Sequence, residues 1–243
     1  MVDVDQFISD GFVRVADAFP RDVADACRAI LWRATGCVES DPSTWTRPVV
    51  RIGELGGPFR DAANTPKLNA ACDALVGAGR WLPRETLGTF PIRFPSPHDP
   101  GDCGWHIDMS FGFENEPDFM KWRVNVHSKG RALLMLFLFS DVGENDAPTK
   151  LRVGSQRDLA RRLAPHGDEG LTLGELASTG FAESAHRSET LAMGPAGTVF
   201  LCHPFLVHSA QPLLKGRPRF LGQPALLPRG PLDSSSAVVR AIS

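Results

Sequence analysis

Residues Ala132 to Phe139 read ALLMLFLF, the longest unbroken apolar run in the chain. A membrane-spanning helix needs about 20 such residues, so the run reads as a core strand instead. Comparable short stretches, rich in branched and aromatic residues, lie around it from about residue 85 onward: TLGTFPIRF, RVNVHS, TKLRV and GTVFLCH. Each is bounded by Gly, Pro, Asn or Asp, as strands are. The 23 glycines and 20 prolines supply many turns. No repeating strand–helix–strand alternation is visible, so a doubly wound sheet is not expected. The pattern predicts a mainly β chain, a small barrel or jelly roll with helices packed outside.

The helices are legible from a change of period. After alternation around Phe12, Val13 and Val15, apolar residues recur at Val23, Cys27, Ile30 and Leu31, one face of a helix that opens at Pro20 and stops at Gly36. TPKLNAACDALVGAG predicts a second helix ending at Gly77 or Gly79, and QRDLARRL a third, with a short one at LGELAS. We expect one domain: residues 1–84 as an N-terminal strand and helical buttress, 85–229 as the β core, and 230–243 as a C-terminal tail.

Composition excludes several functions. The 26 basic and 28 acidic residues are spread without like-charge blocks, so no basic footprint for nucleic acid exists. The five cysteines, at 27, 37, 72, 103 and 202, form no CxxC pair and no even framework, the usage of a reduced intracellular protein. The opening MVDVDQFISDGF lacks the pattern of a signal peptide. These features predict a cytoplasmic protein that engages neither membrane nor nucleic acid.

Chemistry concentrates in two places. GWHIDMSF places His106 and Asp108 two positions apart, so in a strand they project to one face, opposite Ile107. An imidazole and a carboxylate so placed can take adjacent positions on a divalent metal, or can form an ordinary polar pair. The second place is GPAGTVFLCHPFLVHSAQPLLKGRPRF, where His208 is followed at +9 and +11 by Arg217 and Arg219. His208 is either a core histidine or a third ligand, and the arginines either a solvated turn or a clamp for a dicarboxylate.

HxD, a distal histidine after an apolar strand, and GRPR together resemble the phytanoyl-CoA dioxygenase family of iron(II)/2-oxoglutarate oxygenases. QFISDGFVRVADAFPRDVADACRAIL is similar to the first strand and helix of that family, and NDAPTKLRVGSQR to its NGPT…VPGSH stretch. The resemblance implies a double-stranded β-helix. It implies His106, Asp108 and His208 as iron ligands in a facial triad with open positions for 2-oxoglutarate and O2. It implies Arg219, at the family's +11 offset, as partner of the distal co-substrate carboxylate, with Arg217 as near rival and Thr149 as a further contact. The chain departs from the family in reading VGSQ where a histidine is usual, and it contains no tyrosine.

The implied activity is hydroxylation of a small organic molecule with release of succinate and CO2; related halogenases replace the carboxylate that Asp108 retains. Two other readings remain: a non-catalytic binding or sensing module of the same fold, and a zinc-dependent hydrolase, which gives Arg219 no task. Arg93, Met109 and Phe111 are candidates for the substrate pocket. Trp105 should face away from the metal pair. Cys202 and His203 are expected to be a packed pair, His98 and Asp99 a solvated turn, and His127, His166 and His186 surface residues. Residues 109–130 form either a lid or a loop covering the end of the core.

Overall fold

The computed structural model describes residues 2–243. Among these residues seven α-helices form: α1 (Val4–Asp10), α2 (Arg21–Thr35), α3 (Pro58–Ala63), α4 (Pro66–Val76), α5 (Gln156–Leu163), α6 (Leu173–Ala177) and α7 (Ala237–Arg240). The strands are β1 (Phe12–Val15), β2 (Val49–Ile52), β3 (Trp81–Leu82), β4 (Phe90–Arg93), β5 (Arg123–Val124), β6 (Leu133–Leu138), β7 (Thr149–Arg152), β8 (Leu171–Thr172), β9 (Glu189–Ala192), β10 (Val199–Cys202), β11 (His208–Ser209), β12 (Leu221–Gly222) and β13 (Ala225–Pro228). None of the helices is long and apolar enough to cross a membrane.

The apolar run forms β6, the centre of a six-stranded antiparallel sheet. It pairs with β10 on one edge and with β12 and β13 on the other, while β1 extends the sheet beyond β10 and β3 beyond β13. Both faces of β6 are covered, which explains why its sequence does not alternate between apolar and polar. Leu133, Met135 and Phe137 pack in the cluster that holds Cys27, Leu31, Phe59, Leu68 and Leu75 of the N-terminal helices. Leu134, Leu136 and Leu138 pack on the opposite face with Leu151 of β7 and Ala192 of β9. Those two strands belong to a second antiparallel sheet, in the order β11-β7-β9. Helices, large sheet and small sheet are therefore three layers. Strand pairing does not close the sheets into a continuous barrel: they are separate ladders facing each other across the leucines.

α2 and α4 form where apolar periodicity predicts them. Gly36, at φ +71°, ends α2, and the Thr65 hydroxyl accepts from the Leu68 N–H to cap α4. Three helices, α1, α3 and α7, lie where no periodic signal exists. α1 spans two turns, with Asp3 accepting from the Gln6 N–H at its start, Gly11 in the left-handed region at its end and only Phe7 buried. α7 lies within the expected tail and packs on α1 and α4. TLGTFPIRF and RVNVHS shorten to β4 and β5, because each keeps only one short ladder partner, β2 and β8.

Candidate functional site

His106 does not sit in a regular strand. It makes a single antiparallel bridge to His208, the first residue of β11. Each residue donates its backbone N–H to the carbonyl of the other at 2.9 Å. Alternation still holds along this extended segment. Ile107 and Met109 enter the apolar cluster beneath α5 and α6, with Trp105 packed against it, which leaves His106 and Asp108 on the other face. The Trp105 ring lies under the Arg152 guanidinium, 4.1 Å from its centroid.

The imidazoles of His106 and His208 approach to 4.2 Å between centroids. Each Nδ1 lies 2.9 Å from a backbone carbonyl, that of Gly104 and that of Leu206 respectively. A carbonyl only accepts, so each Nδ1 carries the hydrogen and each Nε2 presents a lone pair. Burial, and then the closeness of the second imidazole, His106, pushes the His208 imidazole down to about 4, so it stays neutral, as a metal ligand must be. His203 makes the contrast. Its Nδ1 accepts from the Phe205 N–H at 3.0 Å and its Nε2 donates to the Val238 carbonyl at 3.1 Å. Both nitrogens are occupied, and the residue is a packed structural histidine beside the buried Cys202.

Asp108 is held by a residue with no local signal in the sequence. Arg131 donates through Nη1 to Asp108 Oδ2 at 2.8 Å and through Nε to the Met109 carbonyl. Among the described residues no three His, Cys, Asp or Glu side chains are drawn together into a metal-ligating cluster. The donor types nonetheless fit a facial site: two imidazole Nε2 lone pairs and one carboxylate whose second oxygen, Oδ1, carries no protein hydrogen bond among those residues.

A second bridge joins Arg93, the last residue of β4, to Arg219, with main-chain bonds of 3.0 and 2.9 Å. The two side chains are 1% and 2% exposed. Arg93 donates to Asp102 at 2.6 Å, and Asp102 is shared with Arg51. Arg219 donates to the Ala147 carbonyl. Three buried guanidinium nitrogens of this pair have no partner: Nε and Nη1 of Arg93 and Nε of Arg219. Burial, and then the charge of Arg93, push the Arg219 guanidinium down to about 9. Two buried like charges with orphaned donors are costly unless an anion with several acceptor oxygens joins them.

One short stretch touches both halves of the site. Ala147 bonds Arg219 through its carbonyl, and Leu151 lies opposite His208 in the β7–β11 ladder. Thr149, two residues before Leu151 on β7 and 2% exposed, shares the face of His208. Arg217 goes elsewhere. It is exposed at the rim of a separate cavity with Trp32, Trp45 and Phe220. The Met109 side chain belongs to the apolar cluster. Phe111 bridges Arg123 and lies under Lys129, whose Nζ is 5.4 Å from the ring centroid. Within residues 109–130, Phe113 and Phe119 remain exposed while the Trp122 indole donates to the Glu116 carbonyl. His98, Asp99, His127, His166 and His186 are all exposed.

No family model matches the sequence, and no curated protein matches it. Solved structures do. The non-heme α-ketoglutarate-dependent epimerase SnoN from nogalamycin biosynthesis is 17% identical with a TM-score of 0.57, covering 92% of this chain and 81% of its own. HygX from Streptomyces hygroscopicus, with nickel and 2-oxoglutarate bound, is 20% identical at TM-score 0.57, covering 93% and 87%. EctD from S. alaskensis, with 2-oxoglutarate and 5-hydroxyectoine, is 20% identical at TM-score 0.53, covering 92% and 73%. At these identities the likeness establishes a shared fold.

Proposed function

We propose that the chain is an iron(II)- and 2-oxoglutarate-dependent oxygenase that oxidises a small organic molecule, on the double-stranded β-helix implied by the sequence resemblance. The observation that carries this reading is the Arg93–Arg219 pair. Its three unpartnered buried donors call for a carboxylate, and the two imidazoles with free Nε2 lone pairs provide a metal position linked to it through Ala147–Leu151. HygX and EctD, which share the fold, bind 2-oxoglutarate, in support of the same co-substrate here.

His106, Asp108 and His208 would hold the iron. Iron(II) with 2-oxoglutarate supplies the activation of O2, the co-substrate leaving as succinate and CO2. The protein's own tasks follow from its contacts. Arg219 and Arg93 bind and orient the distal carboxylate with charge-assisted bonds in fixed geometry. The Gly104 and Leu206 carbonyls fix the tautomer and direction of the two imidazoles. Arg131 holds one oxygen of Asp108 and leaves the other for the metal. The leucines of β6 keep water from the interior. Because Asp108 retains its carboxylate, hydroxylation is favoured over halogenation.

The test is anaerobic addition of iron(II) and then 2-oxoglutarate to metal-free protein. The expected result is a weak visible charge-transfer band that is lost in His106→Ala and Asp108→Ala. Tight zinc binding without any 2-oxoglutarate binding would instead favour a hydrolase. A band with no oxygen consumption across a substrate panel would favour a sensing module.

A further inference from the structure

A cavity of about 370 Å³ lies under α2, beside the chain around Pro218. Trp32, Trp45 and Phe220 give it aromatic walls, with the Trp32 ring 6.0 Å from Trp45 and 5.0 Å from Phe220 between centroids. Trp32 is 9% exposed, and its Nε1–H is buried with no acceptor. The Trp45 indole, in contrast, donates to the Val38 carbonyl.

The charges around the cavity are unequally committed. Arg21 is held by both oxygens of Asp141, at 2.7 and 2.9 Å. Arg28 donates to the Phe139 carbonyl and pairs with Asp25. Arg217, in the turn before Pro218, makes no ion pair among the described residues and keeps its whole fork available. Glu39, also on the rim, disfavours a second negative charge on any occupant.

The cavity and the candidate active site lie on opposite faces of the same chain segments. Arg93 and Arg219 face the co-substrate pocket. Their successors Phe94 and Phe220 face the other way, Phe94 standing 5.8 Å from Trp32 and 5.6 Å from Trp45. The two arginines flanking Pro218 thus serve different places. We propose that this cavity is a second small-molecule site, for an aromatic monocarboxylate. The ring lies against Trp32, Trp45 and Phe220, and the carboxylate pairs with Arg217. The volume is at the small end of ligand pockets, enough for one ring and its substituents. This inference stands independently of the oxygenase reading.

Calorimetric titration with benzoate and with its neutral isostere benzamide tests it, on the parent protein and on Arg217→Gln, Trp32→Phe and Arg219→Gln. The expected result is one saturable benzoate site, with benzamide and Arg217→Gln each weaker by about tenfold or more. Trp32→Phe shortens the aromatic wall, so it should weaken binding a few-fold while the thermal midpoint holds. Arg219→Gln should leave benzoate affinity unchanged. The proposal is overturned if no saturable benzoate binding occurs up to about 10 mM. It is equally overturned if Arg217→Gln binds as the parent does, or if Arg219→Gln is the variant that loses benzoate. Should Trp32→Phe fail to fold, the exposed Arg217 position still decides the matter.

Discussion

His106 and His208 face each other across one antiparallel bridge, main chain to main chain at 2.9 Å in both directions, with their imidazole centroids 4.2 Å apart. The bridge is made by backbone atoms, so the rings can be removed without breaking it. His106→Ala and His208→Ala should therefore fold with thermal midpoints close to the parent in the absence of metal. Cobalt(II) or nickel(II) at about 100 times its dissociation constant should stabilise the parent by about 2.7 kcal/mol and neither variant. A metal-dependent thermal shift surviving in either alanine variant would place the metal elsewhere.

The Arg93–Arg219 pair makes a separate prediction. Arg219→Gln and Arg93→Gln should each weaken 2-oxoglutarate binding by at least about tenfold, the loss of a charge-assisted contact in a buried pocket. Arg219→Gln, which removes one of two buried like charges, should at the same time leave the ligand-free protein at least as stable as before, whereas Arg93→Gln also gives up its 2.6 Å pair with Asp102. Titration of the metal-loaded protein under argon reads the first effect, and urea unfolding reads the second. Unchanged affinity in both variants would remove the anion pocket from the site.

Arg131 is a positioning residue for Asp108. With Gln in its place the carboxylate loses its 2.8 Å partner and its orientation. Metal affinity should fall by about 10- to 100-fold, as for other groups that orient metal ligands. A cobalt(II) titration followed by visible absorption measures this without any turnover. Arg131→Lys, which keeps the charge but not the fork, should lie between the two.

His203 predicts acid sensitivity. Burial pushes its imidazole from 6.5 down to about 3. Above pH 6.5 both folded and unfolded forms are neutral there, and the stability is fully present. As pH falls below 6.5 the unfolded chain takes up a proton that the folded protein refuses, so stability declines until about pH 3. His203→Gln retains one donor and one acceptor, so it should roughly halve the decline between about pH 6.5 and pH 4.5, the rest coming from His208, which burial holds at about 4. Asp141, held at about 2 by its hydrogen bonds with Arg21, loses its contribution only below 3.8 and does not enter that window. Equal slopes in parent and variant would show that His203 is not the group responsible.

The legible parts of the molecule were those with a local pattern. α2 and α4 carry an apolar face with a stop at glycine, and β6 is a single unbroken run. His106 and Asp108 could be paired because alternation puts them on one face even in an irregular segment. α1 carries no such pattern, because its one buried residue, Phe7, leaves no period to see. The site's electrostatics were not legible for another reason. Arg93 meets Arg219, and Arg131 meets Asp108, only through long-range closure of the chain, and no local spacing records such partners. Proximity in sequence misled in the opposite direction for Arg217, which lies two residues from Arg219 and faces a different cavity.

The double burial of β6 makes it a ruler for the interior. Leu134, Leu136 and Leu138 bound the space between the sheets, and Leu133, Met135 and Phe137 bound the space under the helices. A one-residue slip would exchange the two sets, putting Leu133, Met135 and Phe137 where three leucines of equal volume now pack against Leu151 and Ala192. Variation in what the interior can admit is therefore open to trimming at 134, 136 and 138, each cut costing about 2–5 kcal/mol for leucine to alanine, and closed to insertion or deletion. A relative with a different appetite should differ at those three positions while keeping the length of this strand.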